Sequence, residues 1–344
     1  MRLLVLGGTI FLGRHVTAEA LGRGHEVTVF HRGRHGTELF PEAEHALGDR
    51  GGDLAPLRSR AWDAAIDTSG YEPADVARSS ALDLGHLVFV STCNVYPRWP
   101  AEVVDEDTPV WTEGGDYGPK KAACERAAEA AMPGRVASVR AGLICGPHDN
   151  VFRLPWWVRR IAAGGDVVAP GDPARTVQLV DARDLAAWML DLAERRVAGS
   201  FNGTAPAGRT TMRDALEAAV DATDSGARLR WISDGILVEH EVEPWDELPL
   251  WIPDATGAGT WAVGTERAQA AGLRCRRIAE TVADTWAWLR DGGEAQLPEW
   301  RADMRPRGLS EERERALLAA VRPRARRPRP CARLARWRAT SSSA

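Results

Sequence analysis

Arg2-Leu3-Leu4-Val5-Leu6-Gly7-Gly8-Thr9-Ile10-Phe11-Leu12-Gly13 is the stretch whose reading decides the fold. Leu3 to Leu6 form an uninterrupted apolar run. Continuous rather than alternating hydrophobicity is what a parallel strand covered on both faces requires, because both sets of side chains point into apolar layers. The run stops at Gly7, and a helical stretch follows to about Leu21. Glycines at 7 and 13 permit a tight turn and close packing of helix on strand, and the free backbone N–H groups at a helix start can bind a pyrophosphate. Gly7, Gly8, Thr9, Ile10, Phe11, Leu12 and Gly13 are therefore candidate cofactor-binding residues. A Gly-rich turn that follows a strand and opens a helix carries more weight than a bare glycine pattern.

Working outward, Glu26-Val27-Thr28-Val29-Phe30 reads as a second strand, ending in His31-Arg32-Gly33-Arg34. An NAD site usually places a carboxylate at this strand end to bind the adenosine ribose hydroxyls. None is present. Arg32 and Arg34, beside His31, can instead hold a 2′-phosphate, which favours NADP(H) over NAD(H); two ordinary loop arginines in an Arg-rich chain are the plainer alternative. Asp49, after a third strand, is a candidate for the adenine edge or a solvated loop carboxylate. Ala64–Asp67 and Leu87–Val90 continue the series. Strands spaced by helical segments predict an α/β chain with a doubly wound parallel (Rossmann) sheet and a smaller C-terminal substrate-binding lobe. The expected organisation is a dinucleotide-binding domain over 1–150, to which 172–206 return, and a substrate lobe over 151–171 and 207–300. Residues 301–344 should hold one helix, near 310–320, and a basic disordered tail.

Lys120 and Lys121 are the only lysines among 44 Lys and Arg residues, and Lys121 stands four residues after Tyr117. On a helix such positions share one face. A phenol titrates near pH ~10, and an adjacent ammonium lowers that value, so the pair suits proton exchange with a substrate hydroxyl or carbonyl. A solvated helix lysine is the alternative. Taken with the Gly-rich turn, Ser91-Thr92-Cys93-Asn94-Val95-Tyr96, Arg140 to Pro147 and Arg175 to Leu185, the pair resembles the extended or atypical short-chain dehydrogenase/reductases, the NAD(P)-dependent epimerase/dehydratase group. The resemblance covers roughly residues 1–295 and is similar in type to bacterial reductases related to 2′-hydroxyisoflavone reductases. It implies that Tyr117 is the proton-transfer residue, that Lys121 holds the nicotinamide ribose and tunes Tyr117, and that Thr92 bonds the reacting oxygen. Two departures matter. Ile10 stands where the family's turn usually has its middle glycine, and Cys93-Asn94 replace the Asp-Glu pair of sugar-nucleotide dehydratases, which argues against dehydration. Net reduction or oxidation at an oxygen-bearing carbon remains, with a nucleotide-sugar epimerase and a non-catalytic dinucleotide sensor or RNA-associated protein as alternatives.

Past Pro147 the candidates for substrate contact are Asn94, His148, Arg175 and Trp245, the last among 14 tryptophans able to stack on a ring. Arg175 can grip an anion bidentately or pair with a carboxylate; His148 is a second acid or base or a loop residue. Five cysteines without Cys-x-x-Cys spacing argue against a disulfide scaffold or a metal site. No apolar run approaches the roughly 20 residues of a membrane span, and a strand pattern beginning at residue 2 leaves no room for a signal peptide. A cytoplasmic protein with a small-molecule partner is expected, with a homodimer compatible with the family. Net charge is −4, and nucleic acid is a poor partner for a body without a basic stripe. Arg322–Ala344, with eight arginines and no acidic residue, cannot bury a core.

Overall fold

The structure is a computed structural model that describes residues 1–97, 104–257, 259–298 and 308–321. In chain order the nucleotide-side elements are β1 (Arg2–Leu6), α1 (Phe11–Gly22), β2 (Glu26–His31), β3 (Glu44–Leu47), α2 (Ala55–Arg58), β4 (Ala64–Asp67), α3 (Pro73–Ser80), β5 (Leu87–Thr92), α4 (Tyr117–Ala131) and β6 (Val136–Ala141). There follow β7 (Leu143–Cys145), α5 (Arg153–Ala162), β8 (Asp166–Pro170), β9 (Leu179–Asp181), α6 (Ala182–Arg195), β10 (Gly199–Gly203), α7 (Met212–Thr223) and β11 (Arg228–Ile232). Helices α8 (Asp234–Glu239), α9 (Asp254–Gly257), α10 (Glu266–Ala270), α11 (Ile278–Arg290) and α12 (Glu311–Val321) complete the described chain.

Seven parallel strands run in the order β10-β6-β5-β4-β1-β2-β3. The β1 register pairs Leu3 with Val27 on one side and with Ala64 on the other, so the apolar run of the opening sequence is the centre of the sheet. Its side chains divide between two layers. Leu3 and Val5 join Val16 and Ala20 of α1 and Leu185, Trp188 and Met189 of α6. Leu4 and Leu6 join Leu57, Val76, Cys124 and Ala128 on the opposite face. Both faces being covered, the strand needs no polar alternation.

A second cluster, centred on Trp157, Ile161, Val167, Leu216, Trp251 and Val282, lies between α5, α7, α11 and the parallel pair β8 and β11. Residues 182–203 return to the main sheet as α6 and β10. The segment around α10 differs from the expectation that 207–300 belong to the second lobe. Ala268 and Leu273 are buried in the first cluster with Trp188 and Phe201, so this segment covers the β10 edge and shields it from strand addition. The predicted late helix is α12, and Arg322–Ala344 lie outside the described residues.

The β5–β6–β10 end of the sheet is tied by buried polar groups. Arg140 on β6 donates to Glu125 of α4 at 3.0 Å and to the Tyr96 hydroxyl at 3.0 Å. Tyr96 in turn donates to Asn202 Oδ1 of β10 at 2.7 Å. With Arg140 5 % and Glu125 8 % exposed, neither charge has water to fall back on. Removing one partner of a buried pair leaves the other uncompensated. Glu125→Ala is expected to lower stability by about 3–5 kcal/mol in urea unfolding, and a loss under about 1 kcal/mol would contradict this role.

Candidate active site

The strand order reverses between β1 and β4, and in doubly wound sheets ligands bind outside the carboxyl ends of the strands at such a point. Three segments meet there: the Gly7–Gly13 turn after β1, Thr68-Ser69-Gly70-Tyr71 after β4, and Thr92 at the end of β5. Gly7 has φ +89°, and a Cβ on it would lie 2.7 Å from Ser69 Cβ. A Cβ on Gly13 would collide with the Gly7 carbonyl, which fixes how closely α1 approaches β1. Thr17 Oγ1 ties the turn down by donating to Gly8 O at 2.9 Å and Gly13 O at 3.0 Å. Ile10 caps α1 with no side-chain hydrogen bond, leaving the first N–H groups without a side-chain acceptor. This cradle of closely packed glycine backbone at a helix start fits a dinucleotide pyrophosphate.

At the outer end of β2, Gly33 N–H donates to His31 Nδ1 at 3.2 Å, His31 Nε2 bonds His45 Nδ1 at 2.9 Å, and His45 Nε2 bonds Phe40 O at 3.3 Å. Since Nδ1 of His31 accepts, its Nε2–H must be the donor to His45. This chain anchors the 32–34 loop on β3. Arg32 and Arg34 are exposed, and neither side chain has a hydrogen bond or ion pair to a described residue. Asp49 is exposed and accepts from Gly51 N–H at 2.9 Å in its own turn. Sequence reasoning missed the neighbouring pair: Arg50 grips the buried Asp67 bidentately at 2.7 and 2.7 Å and also reaches Ser69 and Ser79. Burial opposes the charge on Asp67, but Arg50 outweighs it and holds the carboxyl below its usual range. The available signal was an aspartate ending a buried strand, which requires a cation.

Tyr117 opens α4, with its hydroxyl beside Thr92. Although 48 % of its surface is exposed, its hydroxyl faces Thr92, Tyr71 and Arg153, and desolvation there pushes the phenol up to about 12; Tyr71 adds to this, while Thr92 and Arg153 oppose it. Lys121, one turn on, is buried, and its Nζ donates to Gly70 O and Val90 O at 2.6 Å each. It lies 4.2 Å from the centre of the Phe89 ring and 5.3 Å from that of Tyr71. Burial lowers it to about 8, which still leaves an ammonium at neutral pH. The two side chains share a helix face as the spacing predicts, but the lysine turns to the strand-end carbonyls, and the cation acting on the phenol is Arg153 of α5. Asn94 N–H donates to Thr92 Oγ1 at 3.2 Å, and the Asn94 carbonyl lies where a Cβ on Gly118 would sit, which explains a glycine in the first turn of α4.

The remaining candidates separate. Arg175 donates to Asp234 at 2.6 Å, lies 2.9 Å from Asp254, and donates to Ile252 O at 3.1 Å, so of its two readings the structure has the carboxylate pair. His148, at φ 64°, packs against His15 at 5.7 Å and Trp288 at 5.4 Å and has no interaction with Tyr117. Burial, then Arg14 and His15, lower it to about 4, so it is neutral at pH 7. Trp245 lies 5.6 Å beneath the Arg153 guanidinium and 5.9 Å from Trp261.

Comparison with known proteins agrees with this geometry. Part of the chain matches the model of the NAD dependent epimerase/dehydratase family. The match spans residues 73–203, from α3 through β10. The bovine epimerase family protein SDR39U1 is 29 % identical over 236 residues, 61 % of this chain and 76 % of that protein. Among solved structures, the Bordetella bronchiseptica enzyme WbmH in complex with NAD+ is similar at 18 % identity and TM-score 0.65, covering 85 % of this chain and 99 % of that one. The Thermus thermophilus UDP-glucose 4-epimerase complex with NAD is similar at 20 % identity and TM-score 0.62, covering 84 % and 99 %. The family resemblance read from the sequence is thus found, and the shared fold is that of the epimerase/dehydratase structures. No helix among the described residues is long and apolar enough to cross a membrane.

Asp149, immediately before α5, is buried; its Oδ1 accepts from Val151 N–H at 2.9 Å and Phe152 N–H at 3.2 Å. Burial pushes this carboxyl up to about 6. A folded-state value above the unfolded one of about 4 means that the folded protein keeps a proton the unfolded chain has lost. The resulting stabilisation is complete below pH ~4 and lost as pH rises through ~6. Asp149→Asn keeps the acceptor and removes the charge. Urea unfolding at several pH values should find a shallower fall in stability across this window for the variant than for the native protein, and parallel profiles would contradict the assignment.

Proposed function

We propose that this protein is an oxidoreductase that prefers NADPH and moves hydride between the nicotinamide and an oxygen-bearing carbon of a small molecule. The observation that carries the reading is the placement of Tyr117 beside Thr92 at the end of β5, next to the glycine cradle. The nicotinamide, when bound, supplies or accepts the hydride. Gly7–Gly13 would hold its pyrophosphate, and Lys121, at the β4 and β5 ends, is within the same crevice to bind its ribose. Tyr117 keeps its proton well above neutrality, so it can donate to a carbonyl oxygen that Thr92 orients, and in the reverse direction it can take the proton back. Arg32 and Arg34, unpaired beside the His31–His45 chain, support recognition of an adenosine phosphate. The partner is a small molecule.

A nucleotide-sugar epimerase is the second reading, favoured by similarity to structures such as the Thermotoga maritima UDP-glucose 4-epimerase. Against it, Arg175, the guanidinium considered for an anionic substrate group, is neutralised by Asp234 and Asp254. That reading requires a tightly retained cofactor and no change in bulk NADPH absorbance. A non-catalytic sensor requires neither.

Tyr117→Phe should keep cofactor binding and lose turnover by about 10²–10⁴ fold, measured as NADPH consumption over a panel of carbonyl compounds. Undiminished turnover would remove Tyr117 from the chemistry. In fluorescence titrations NADPH should bind more tightly than NADH, and Arg32→Ala should narrow the difference; equal affinities in the native protein would contradict the preference for NADPH.

A further inference from the structure

Half-buried arginines in this protein are generally matched by carboxylates: Arg50, Arg140, Arg160, Arg175, Arg183 and Arg276 each grip one. Arg153, like Arg14, is an exception. It is half-buried at the start of α5, yet its guanidinium has no hydrogen bond or ion pair to a described residue. Its side chain lies over the Trp245 ring, and its titratable neighbours are Asp149 and Tyr117. Asp149 attracts it but forms no ion pair with it, its Oδ1 being taken by the Val151 and Phe152 N–H groups. A half-buried guanidinium fixed in place without a protein anion is ready to take one from a ligand.

Behind Trp245 stands Trp261, 7 % exposed, with its Nε1–H lacking any acceptor. Trp261 lines a cavity of about 240 Å³ together with Ile252 and the carboxylate-bound Arg175. Tyr71 and Tyr117, with ring centres 6.3 Å apart, and Trp245 give the crevice flat apolar walls.

We propose that Arg153, laid over Trp245 beside Tyr117, binds an anionic group of the substrate, which is then a planar carbonyl or hydroxyl compound bearing an acid group. The inference rests on Tyr117 marking the reacting end of the crevice. The acid group sits on Arg153, the flat body against Trp245, and the oxygen-bearing carbon within reach of Tyr117. A carboxylate and a phosphate ester share the required chemistry.

Calorimetric titration of the full-length protein with benzoate, phenyl phosphate and the uncharged benzyl alcohol tests this without turnover, so it can fail while the role of Tyr117 stands. Saturable binding of benzoate, phenyl phosphate or both is expected, weakened at least tenfold in Arg153→Gln and partly restored in Arg153→Lys, with benzyl alcohol indifferent to either change. Whichever anion binds more tightly identifies the acid group as carboxylate or phosphate. Unchanged NADPH affinity and thermal midpoint in Arg153→Lys control for folding. Absence of anion binding by the native protein, or equal binding by native and Arg153→Gln, would overturn the proposal.

Discussion

The close approach of α1 to β1 at Gly7 and Gly13 is the contact on which the rest of the molecule depends. With no Cβ at either position, the helix start is pressed against the strand end, where a side chain would strike Ser69 or the Gly7 carbonyl. That approach aims the first N–H groups of α1 across the crevice where the strand order reverses. It also sets the layer spacing that lets Val16 and Ala20 meet Leu3 and Val5. The Thr68 hydroxyl, donating to Leu6 O at 3.1 Å and Gly7 O at 3.0 Å, carries the same constraint to β4. The end of β4 supplies Gly70, to which Lys121 is bonded, and β5 supplies Thr92 and Val90.

Charge is the second organising principle. The buried cations of the scaffold are neutralised in place, Arg140 by Glu125 and Arg50 by Asp67, and these pairs hold elements together. At the crevice, Arg32 and Arg34 at its outer end and Arg153 at the substrate end have no ion pair with a described residue. Unpaired charge held by surrounding structure is an expected mark of a binding site. The phenol of Tyr117, raised to about 12, belongs with them, since desolvation keeps it a proton donor.

Sequence carried the main sheet because its strands are buried on both faces and so read as unbroken apolar runs. Ala64–Asp67 appears with those bounds, β2 extends one residue further to His31, and β5 continues to Thr92. Spacing also placed Tyr117 and Lys121 on one helix. It did not say which way Lys121 points: its length reaches either the phenol or the strand-end carbonyls, and Val90 and Gly70 offer two short hydrogen bonds. Arg153 was invisible for another reason. In a chain with two lysines and 42 arginines, an unpaired arginine differs from a paired one only through neighbours brought from distant sequence, here Trp245. Likewise α10 lies in sequence among second-lobe residues, and only the exposed edge of β10 explains its place on the main sheet.

The central claim is that the crevice at the carboxyl ends of β1, β4 and β5 holds a nicotinamide dinucleotide with its reactive ring at Tyr117. A crystal structure of the full-length protein grown with NADP+ tests it most directly. The account predicts a pyrophosphate against residues 7–13, an adenosine phosphate between Arg32 and Arg34, and a nicotinamide ring beside Tyr117 and Thr92. A dinucleotide bound elsewhere, or one whose nicotinamide lies away from Tyr117, would contradict it.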